Sequence, residues 1–134
     1  MTDEELVAVA WHARNFSQAK YSNFRVGAAL LTDDGKVIRG ANIESSSYGL
    51  SVCAERVALF SALSAGHTRF LRLAVAAETS LPLYPCGACL QLLNDYASGL
   101  VILLSRSPSE FTVKSIEELL PYPFGNRHFA SPPS

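Results

Sequence analysis

A long apolar stretch and an excess of basic residues are both missing from this sequence. Its longest apolar runs, such as 73–77 and 100–104, are far shorter than the roughly 20 residues that a membrane-spanning helix needs. The formal net charge is −1, whereas a protein that neutralises many phosphates normally carries a basic surface. The first residues are acidic, unlike the basic start of a signal peptide. We therefore expect a soluble, cytoplasmic protein that binds neither membranes nor nucleic acids.

Cysteine is also scarce, and its number is odd. The chain has three cysteines, Cys53, Cys86 and Cys89, and the last two are only three positions apart. A small secreted domain held together by disulfides usually has a larger and even set. Inside the cell, a Cys-x-x-Cys pair is more often a metal or redox motif. The cysteines are therefore the first candidates for chemistry.

The rest of the composition predicts a folded chain. Of the 134 residues, 49% are hydrophobic and 17% are charged, which fits one domain over residues 1–134 with one core. The pattern Thr-x-x-Glu at 2–5 predicts a capping box that starts a first helix, and Ser-x-x-Glu at 115–118 predicts another for a last helix. Residues 126–134 are polar and rich in proline and serine, and we expect them to form a loose tail.

Hydrophobic periodicity and turn signals give the order of the elements. The predicted helices are 2–18, 53–66, 85–99 and 115–121, and the predicted strands are 24–31, 36–42, 72–77, 100–105 and 111–113. Pro85 is expected as the first residue of the third helix. A hairpin followed by alternating strands and helices predicts an α/β fold, a three-layer α-β-α sandwich around a mixed five-stranded sheet.

Two short segments carry the residue types of a catalytic metal site. They are Cys-Ala-Glu-Arg at 53–56 and Pro-Cys-Gly-Ala-Cys at 85–89, each at the start of a predicted helix. Backbone amides and the helix dipole at these positions stabilise thiolates, the form of cysteine that binds zinc. Three ligands, Cys53, Cys86 and Cys89, leave the fourth tetrahedral position to water, which is typical of a catalytic zinc.

Glu55 and Arg56 extend this pattern. Glu55 follows the first ligand by two positions, where its carboxylate can take a proton from the water and return it to a substrate. Three ligands, such a glutamate and a downstream Pro-Cys-x-x-Cys form the signature of the zinc deaminases. The guanidinium of Arg56 would offset the excess negative charge of three thiolates, although a surface arginine is the alternative. Buried cysteines, a structural zinc half-site or a redox pair remain alternatives, but a redox pair would leave Cys53 and Glu55 without a role.

Over residues 21–124 the chain closely resembles the small homotetrameric cytidine deaminases. The matching motifs are the two cysteine segments, Tyr-Ser-x-Phe-x-Val-Gly-Ala-Ala from Tyr21, Asn-Ile-Glu from Asn42, Tyr-Gly-Leu from Tyr48, and Leu-Leu-Pro-x-x-Phe from Leu119. The resemblance implies a cytidine deaminase-like fold, one zinc ion per subunit, and hydrolytic deamination of cytidine to uridine and ammonia in pyrimidine salvage. Hydroxide on the zinc would attack C4 of the cytosine, with Glu55 as proton carrier. Deoxycytidine is an expected second substrate, since no residue marks a contact reserved for the 2′-hydroxyl.

The same resemblance implies a set of substrate-binding residues. Phe24 would stack on the pyrimidine, and Asn42 and Glu44 would form hydrogen bonds with the ribose hydroxyls. The backbone at Ala54 and Tyr84 would hold the edge of the base. The alternative interpretation of Phe24 is an ordinary aromatic residue of a strand. The alternative for Asn42 and Glu44 is a solvated loop.

Neighbouring subunits would complete each pocket, because the resemblance places Tyr48 and Phe124 across subunit boundaries of a homotetramer. The chain departs from the common pattern of these deaminases at Ser45, Ser46 and Leu90. These departures concern subunit contacts and fine substrate preference, since none of them is a zinc ligand or the glutamate.

Four alternative functions are compatible with parts of this pattern. A deaminase of a free base would leave the ribose-binding Asn42 and Glu44 unused, while an antibiotic nucleoside is a closer alternative. A polynucleotide editor needs a basic groove that the charge balance does not offer. A zinc-containing binding protein without catalysis is the alternative from another class, and the intact Glu55 argues against it.

Overall fold

The computed structural model describes residues 1–125 and 128–129, and it contains a five-stranded sheet with helices on both faces. The helices are α1 (Asp3–Arg14), α2 (Ala54–Ser64), α3 (Gly87–Tyr96) and α4 (Ile116–Leu119). The strands are β1 (Val26–Thr32), β2 (Val37–Ala41), β3 (Phe70–Ala77), β4 (Val101–Ser107) and β5 (Glu110–Ser115). The predicted α/β class with a mixed five-stranded sheet is confirmed, and most of the predicted tail, 126–134, lies outside the described residues. Among the described helices, none combines the length and apolar character that crossing a membrane requires.

The directions of the strands bring the two cysteine segments together. The strand order is β2-β1-β3-β4-β5, with β1 antiparallel to both of its neighbours and β3 parallel to β4. Because β2 and β3 are each antiparallel to β1, they run in the same direction. The helices that follow them, α2 after β2 and α3 after β3, therefore begin at the same edge of the sheet.

Each face of the sheet has its own apolar layer. On one face α1 packs alone, with Leu6 of the helix against Ala29 of β1 and Ala74 of β3. On the other face α2, α3 and α4 share a larger cluster, to which Leu59 and Leu93 contribute fully buried side chains. Burying one such leucine contributes about 1.5–3 kcal/mol. The result is the three-layer sandwich that the sequence predicts, with the sheet in the middle.

The two predicted capping boxes are present. Thr2 Oγ1 accepts a hydrogen bond from the backbone N–H of Glu5, whose carboxylate accepts one from the N–H of Thr2. Ser115 and Glu118 repeat the same pair of hydrogen bonds at the start of α4. Both helices therefore start where the sequence predicts, because these contacts are local.

Several boundaries differ from the prediction, and three of them differ for a clear physical reason. α1 ends at Arg14 rather than near Gln18, because Gln18 exchanges backbone hydrogen bonds with Asn42 and Glu44 in the loop after β2. Pro85 precedes α3 instead of starting it, since Cys86 has extended backbone angles and is the N-cap. β5 has six residues, longer than the predicted segment 111–113, because it pairs along most of β4.

Candidate active site

Three thiols meet at the edge of the sheet where α2 and α3 begin. Cys53 is the N-cap of α2, Cys86 is the N-cap of α3, and Cys89 lies in the first turn of α3. The Sγ atoms of Cys53 and Cys86 are 3.9 Å apart, those of Cys86 and Cys89 are 3.3 Å apart, and all three lie within 4.8 Å of one another. Two sulfurs bound to one tetrahedral zinc at 2.3 Å are separated by about 3.8 Å, so the cluster fits one zinc ion.

The proton affinities of these thiols also favour a cation. The neighbouring Cys89 thiol, with a further contribution from the Arg56 guanidinium, lowers the pKa of Cys53 to about 5. The neighbouring Cys53 sulfur, together with burial, raises the pKa of Cys89 above its usual range. Cys53 therefore readily forms a thiolate, and the negative charge of this thiolate makes it harder to remove the proton of Cys89. A divalent cation compensates the charge of further thiolates, as the donor set of a zinc site requires.

Arg56 lies on the same side of α2 as the sulfur of Cys53. Its Nη2 is 3.4 Å from Cys53 Sγ, and its Nε is buried without a hydrogen-bond partner among the described residues. The neighbouring Cys53 sulfur raises the pKa of Arg56. A guanidinium is held here against the sulfur cluster, as the charge of three thiolates would require.

Glu55 is the buried acid of this cluster. It is the second residue of α2, and only 5% of its surface is exposed. Burial raises the pKa of its carboxyl group to about 7, and the charge of Cys53 adds to the effect. A bound dication would favour the ionised carboxylate and act in the opposite direction. The structure thus places a carboxyl group, with a pKa close to neutral pH, next to the sulfur of Cys53.

Asn42 ties together three segments of the chain beside this site. Its Oδ1 accepts hydrogen bonds from the hydroxyl of Ser17 and from the backbone N–H of Val26, the latter at 2.9 Å. Its Nδ2 donates to the backbone carbonyl of Phe24 at 2.8 Å, and the residue is only 8% exposed. An amide has two N–H donors, so one donor is left for a ligand. The resemblance implied only a contact with ribose for this side chain, with a solvated loop as the alternative.

Glu44 is held by the turn that precedes β1. Its Oε1 accepts hydrogen bonds from the backbone N–H groups of Tyr21 and Ser22 at 3.0 and 2.9 Å, and its Oε2 accepts one from the Ser22 hydroxyl. The Ser22 hydroxyl is the largest cause that lowers the pKa of Glu44, followed by the backbone N–H of Ser22. The carboxylate is therefore fixed in position and ionised at neutral pH.

The remaining residues suggested by the resemblance are aromatic side chains and helix backbone. Phe24 and Tyr84 are exposed, and Tyr48 is 78% exposed, with its ring at an edge-on contact 6.4 Å from that of Tyr21. Ala54 is fully buried as the first residue of α2, where a helix N–H has no partner within the helix.

Phe124 follows α4 in the chain and contacts α3. Its ring stacks on His128 and meets Phe129 edge-on, and its backbone carbonyl accepts a hydrogen bond from Gln91 at 2.6 Å. The ring is nevertheless 55% exposed. Within one subunit, Phe124 is therefore an exposed aromatic anchored to the helix that carries Cys86 and Cys89.

Comparison with known proteins shows the family to which this chain belongs. Residues 1–105 match the family described as the cytidine and deoxycytidylate deaminase zinc-binding region. The chain belongs to this family. It is 44% identical over 125 residues to the cytidine deaminase of Halalkalibacterium halodurans, covering 92% of this chain and 95% of that protein. It is 41% identical over 125 residues to the cytidine deaminase of Sporosarcina psychrophila, covering 92% of each.

A solved structure gives the same result for the fold. The crystal structure of cytidine deaminase from Burkholderia pseudomallei matches with a TM-score of 0.89 and 47% sequence identity, over 92% of this chain and all of that one. The cytidine deaminase-like fold predicted from the sequence is therefore confirmed. This family is one of zinc hydrolases that act on the amino group of cytosine, and the cysteine cluster fits its metal.

The structure of this deaminase also contains functional neighbours that sequence reasoning missed. Ser17 and Ser22 orient Asn42 and Glu44 through their hydroxyl groups. Ser22 belongs to a motif that carried the resemblance, and its proximity to a turn was a usable signal. Ser17 gave no signal, because its partner lies 25 positions away in the chain.

Proposed function

We propose that this chain catalyses the hydrolytic deamination of cytidine, and of deoxycytidine, to uridine or deoxyuridine and ammonia. The observation that carries this proposal is the convergence of three thiols and one buried carboxyl group at a single edge of the sheet, in a chain of the cytidine deaminase family. Relatives named cytidine deaminase support the choice of substrate. Removal of the amino group from a free nucleoside suits a role in pyrimidine salvage.

Cys53, Cys86 and Cys89 are the residues that would hold the zinc ion. When bound, zinc supplies a water molecule that is activated at neutral pH. The guanidinium of Arg56 offsets the negative charge on Cys53 and so helps to keep this sulfur in the thiolate form.

Glu55 moves the protons of the reaction. Its carboxylate accepts a proton from the attacking water and delivers it to N3 of the cytosine ring, which makes C4 more electrophilic. After the water oxygen has bonded to C4, Glu55 takes the remaining proton of this new C4 hydroxyl and transfers it to the amino group. The C4–N bond then breaks, ammonia leaves, and the C4–O bond becomes the carbonyl of uridine. The burial of Glu55 suits this role, since it excludes solvent water from the carrier.

The nucleoside is held by residues on the segments that precede β1 and follow β2. Phe24 stacks on the base, and the free amide N–H of Asn42 and the carboxylate of Glu44 bind the ribose hydroxyls. The backbone N–H of Ala54 and the backbone of Tyr84 hold the base edge. The fixed carboxylate of Glu44 supports this assignment, because it needs little reordering on binding.

The ultraviolet absorbance change of cytidine tests the reaction. Purified, zinc-loaded protein is expected to convert cytidine and deoxycytidine, and Glu55→Gln is expected to reduce kcat by about 10²–10⁴-fold while its zinc content and cytidine binding are retained. Free cytosine, single-stranded DNA and a cytosine-containing antibiotic nucleoside are the comparison substrates. Zinc-loaded, folded protein that converts neither nucleoside would contradict the proposal, and conversion of the antibiotic nucleoside alone would replace the substrate.

The active form is a homotetramer in which neighbouring subunits complete each pocket. Tyr48 and Phe124 are exposed, and each contacts a second exposed aromatic ring, Tyr21 and Phe129 respectively. These contacts support the assembly, because contiguous exposed apolar surface often marks an interface with another protein. Three cavities of the described residues have no cysteine in their lining, and they are bounded by β5, by the end of α3 and by the start of β3. The assembly is placed in the cytoplasm, where a nucleoside and reduced thiols are both available.

Mixed oligomers test whether a residue acts across the subunit boundary. Tyr48→Ala and Glu55→Gln subunits are each expected to be defective alone. When the two are unfolded and refolded together, pockets that combine Glu55 of one subunit with Tyr48 of another are expected to restore activity. Light scattering should give the mass of four subunits. A monomeric active protein, or mixtures no more active than their components, would refute the assignment.

A further inference from the structure

Gly40 lies on β2, against the first turn of α2. A methyl group on Gly40 would lie 2.4 Å from the backbone oxygen of Ala54 and 2.6 Å from the backbone nitrogen of Ala58. Because both are backbone atoms, no rotation of a side chain relieves the overlap. Ala54 and Ala58 are themselves fully buried. The helix therefore rests on the strand at a distance that only glycine allows.

This contact is next to the residues that carry the chemistry. Ala54 stands between Cys53 and Glu55 in the chain, so a movement of this turn moves both. Ordinary van der Waals contact with the Ala54 oxygen begins near 3.4 Å, so the added methyl group requires a displacement of about 1 Å. Zinc sites tolerate deviations of only about 0.2 Å in their ligand distances. The displacement is therefore large compared with what a zinc site accepts.

The other two ligands stand on a different element, at the start of α3. Cys86 and Cys89 belong to α3, which packs against α2 and α4, whereas β2 packs against α2, α1 and β1. A change at Gly40 therefore shifts one sulfur relative to the other two. It alters the shape of the cluster, in which Cys53 Sγ now lies 3.9 Å from Cys86 Sγ.

We propose that Gly40 is a positioning residue of the zinc site. The absence of a side chain at Gly40 sets the height of α2 above β2, and this height sets the place of Cys53 Sγ relative to Cys86 and Cys89. The inference rests on the zinc site of the proposed function and adds a residue that touches neither metal nor substrate.

The chain offers a matched control in Gly27. A methyl group on Gly27 of β1 would lie 2.0 Å from the backbone oxygen of Ala10 and 2.5 Å from the backbone nitrogen of Arg14, both in α1. Gly27→Ala therefore creates the same kind of overlap between a strand and a helix. Because α1 carries none of the three cysteines, this variant should lose stability without a direct effect on the metal.

The experiment compares wild type, Gly40→Ala and Gly27→Ala as reduced, metal-free proteins. Zinc affinity is measured by competition with a chromophoric chelator, cobalt(II) absorption reports tetrahedral thiolate coordination, and urea unfolding reports stability. Both variants are expected to unfold at lower urea. Only Gly40→Ala is expected to lose zinc affinity, by about tenfold or more, and to change the cobalt spectrum.

A zinc affinity and cobalt spectrum of Gly40→Ala equal to those of wild type would overturn the inference, as would an equal loss in Gly27→Ala. If wild type itself binds no zinc, the metal site of the proposed function fails instead. If Gly40→Ala does not fold, Ala58→Val replaces it, because this change adds bulk to the same contact from the helix side. A smaller loss of zinc affinity in Ala58→Val would support the inference, and an unchanged affinity would overturn it.

Discussion

Asn42→Ala separates a structural role of this residue from its proposed contact with ribose. The Asn42 side chain joins the segment after α1, through Ser17, to the start of β1, through Phe24 and Val26. Alanine removes all three hydrogen bonds at once. A loss of cytidine turnover in this variant would therefore not by itself prove that Asn42 binds the substrate.

The size of the structural effect follows from the groups that lose their partners. A buried polar group left without a hydrogen bond costs about 1–3 kcal/mol. Asn42 is 8% exposed, but Phe24 beside it is exposed, so water can reach part of the gap. The lower end of the range applies, and three groups give a loss of about 3 kcal/mol in the free energy of unfolding. For a chain of this length the melting temperature should fall by about 10 °C.

Urea unfolding followed by far-ultraviolet circular dichroism gives the free energy directly. Ser17→Ala is the matched control, because it removes one of the three hydrogen bonds and should cost about 1 kcal/mol. A stability of Asn42→Ala within about 0.5 kcal/mol of wild type, together with a raised KM for cytidine, would refute this reasoning. Asn42 would then act on the substrate alone.

Two further changes test the charged groups of the site. Arg56→Ala is expected to weaken zinc binding by about tenfold and Arg56→Lys by less, because Nη2 of Arg56 lies 3.4 Å from Cys53 Sγ. Equal chelator competition curves for wild type and both variants would contradict this prediction. The Ser22 hydroxyl is the largest cause that lowers the pKa of Glu44, so Ser22→Ala should raise that pKa. Binding by ionised Glu44 is present above its pKa and lost as the pH falls through it, so the acidic limb of the profile of 1/KM against pH should move to higher pH in Ser22→Ala. An unchanged limb would show that Glu44 does not bind the nucleoside as a carboxylate.

Much of the fold was predictable because its signals are local. The capping boxes at Thr2 and Ser115 depend on side chains three positions apart, and both are present. The end of α1 was not predictable, because the hydrogen bonds of Gln18 with the loop after β2 exist only once the sheet has formed. The sequence up to Gln18 is compatible with a helix, but tertiary hydrogen bonds hold Gln18 outside α1.

The site divides in the same way. The spacing of Cys86 and Cys89 and the position of Glu55 after Cys53 are visible in the chain, so a metal site was predictable. The structural role of Asn42 was not predictable, because it depends on three segments that meet only in the fold. The role of Gly40 was equally hidden, since its partners lie in a helix that begins 14 positions later.

The four α-helices of the described residues start in two different ways, and the difference shows where stability is lost in favour of the site. α1 and α4, which carry no cysteine, each begin with a complete capping box. α2 and α3 each have a cysteine as the N-cap, and in the described structure neither cysteine side chain accepts a capping hydrogen bond from a backbone N–H. A good N-cap contributes about 1 kcal/mol, so each of these helices forgoes about that amount. The sulfurs of Cys53 and Cys86 are thereby left to face a common centre. A metal ion that binds there only when the chain is folded stabilises the fold, and so restores the stability that the caps do not supply.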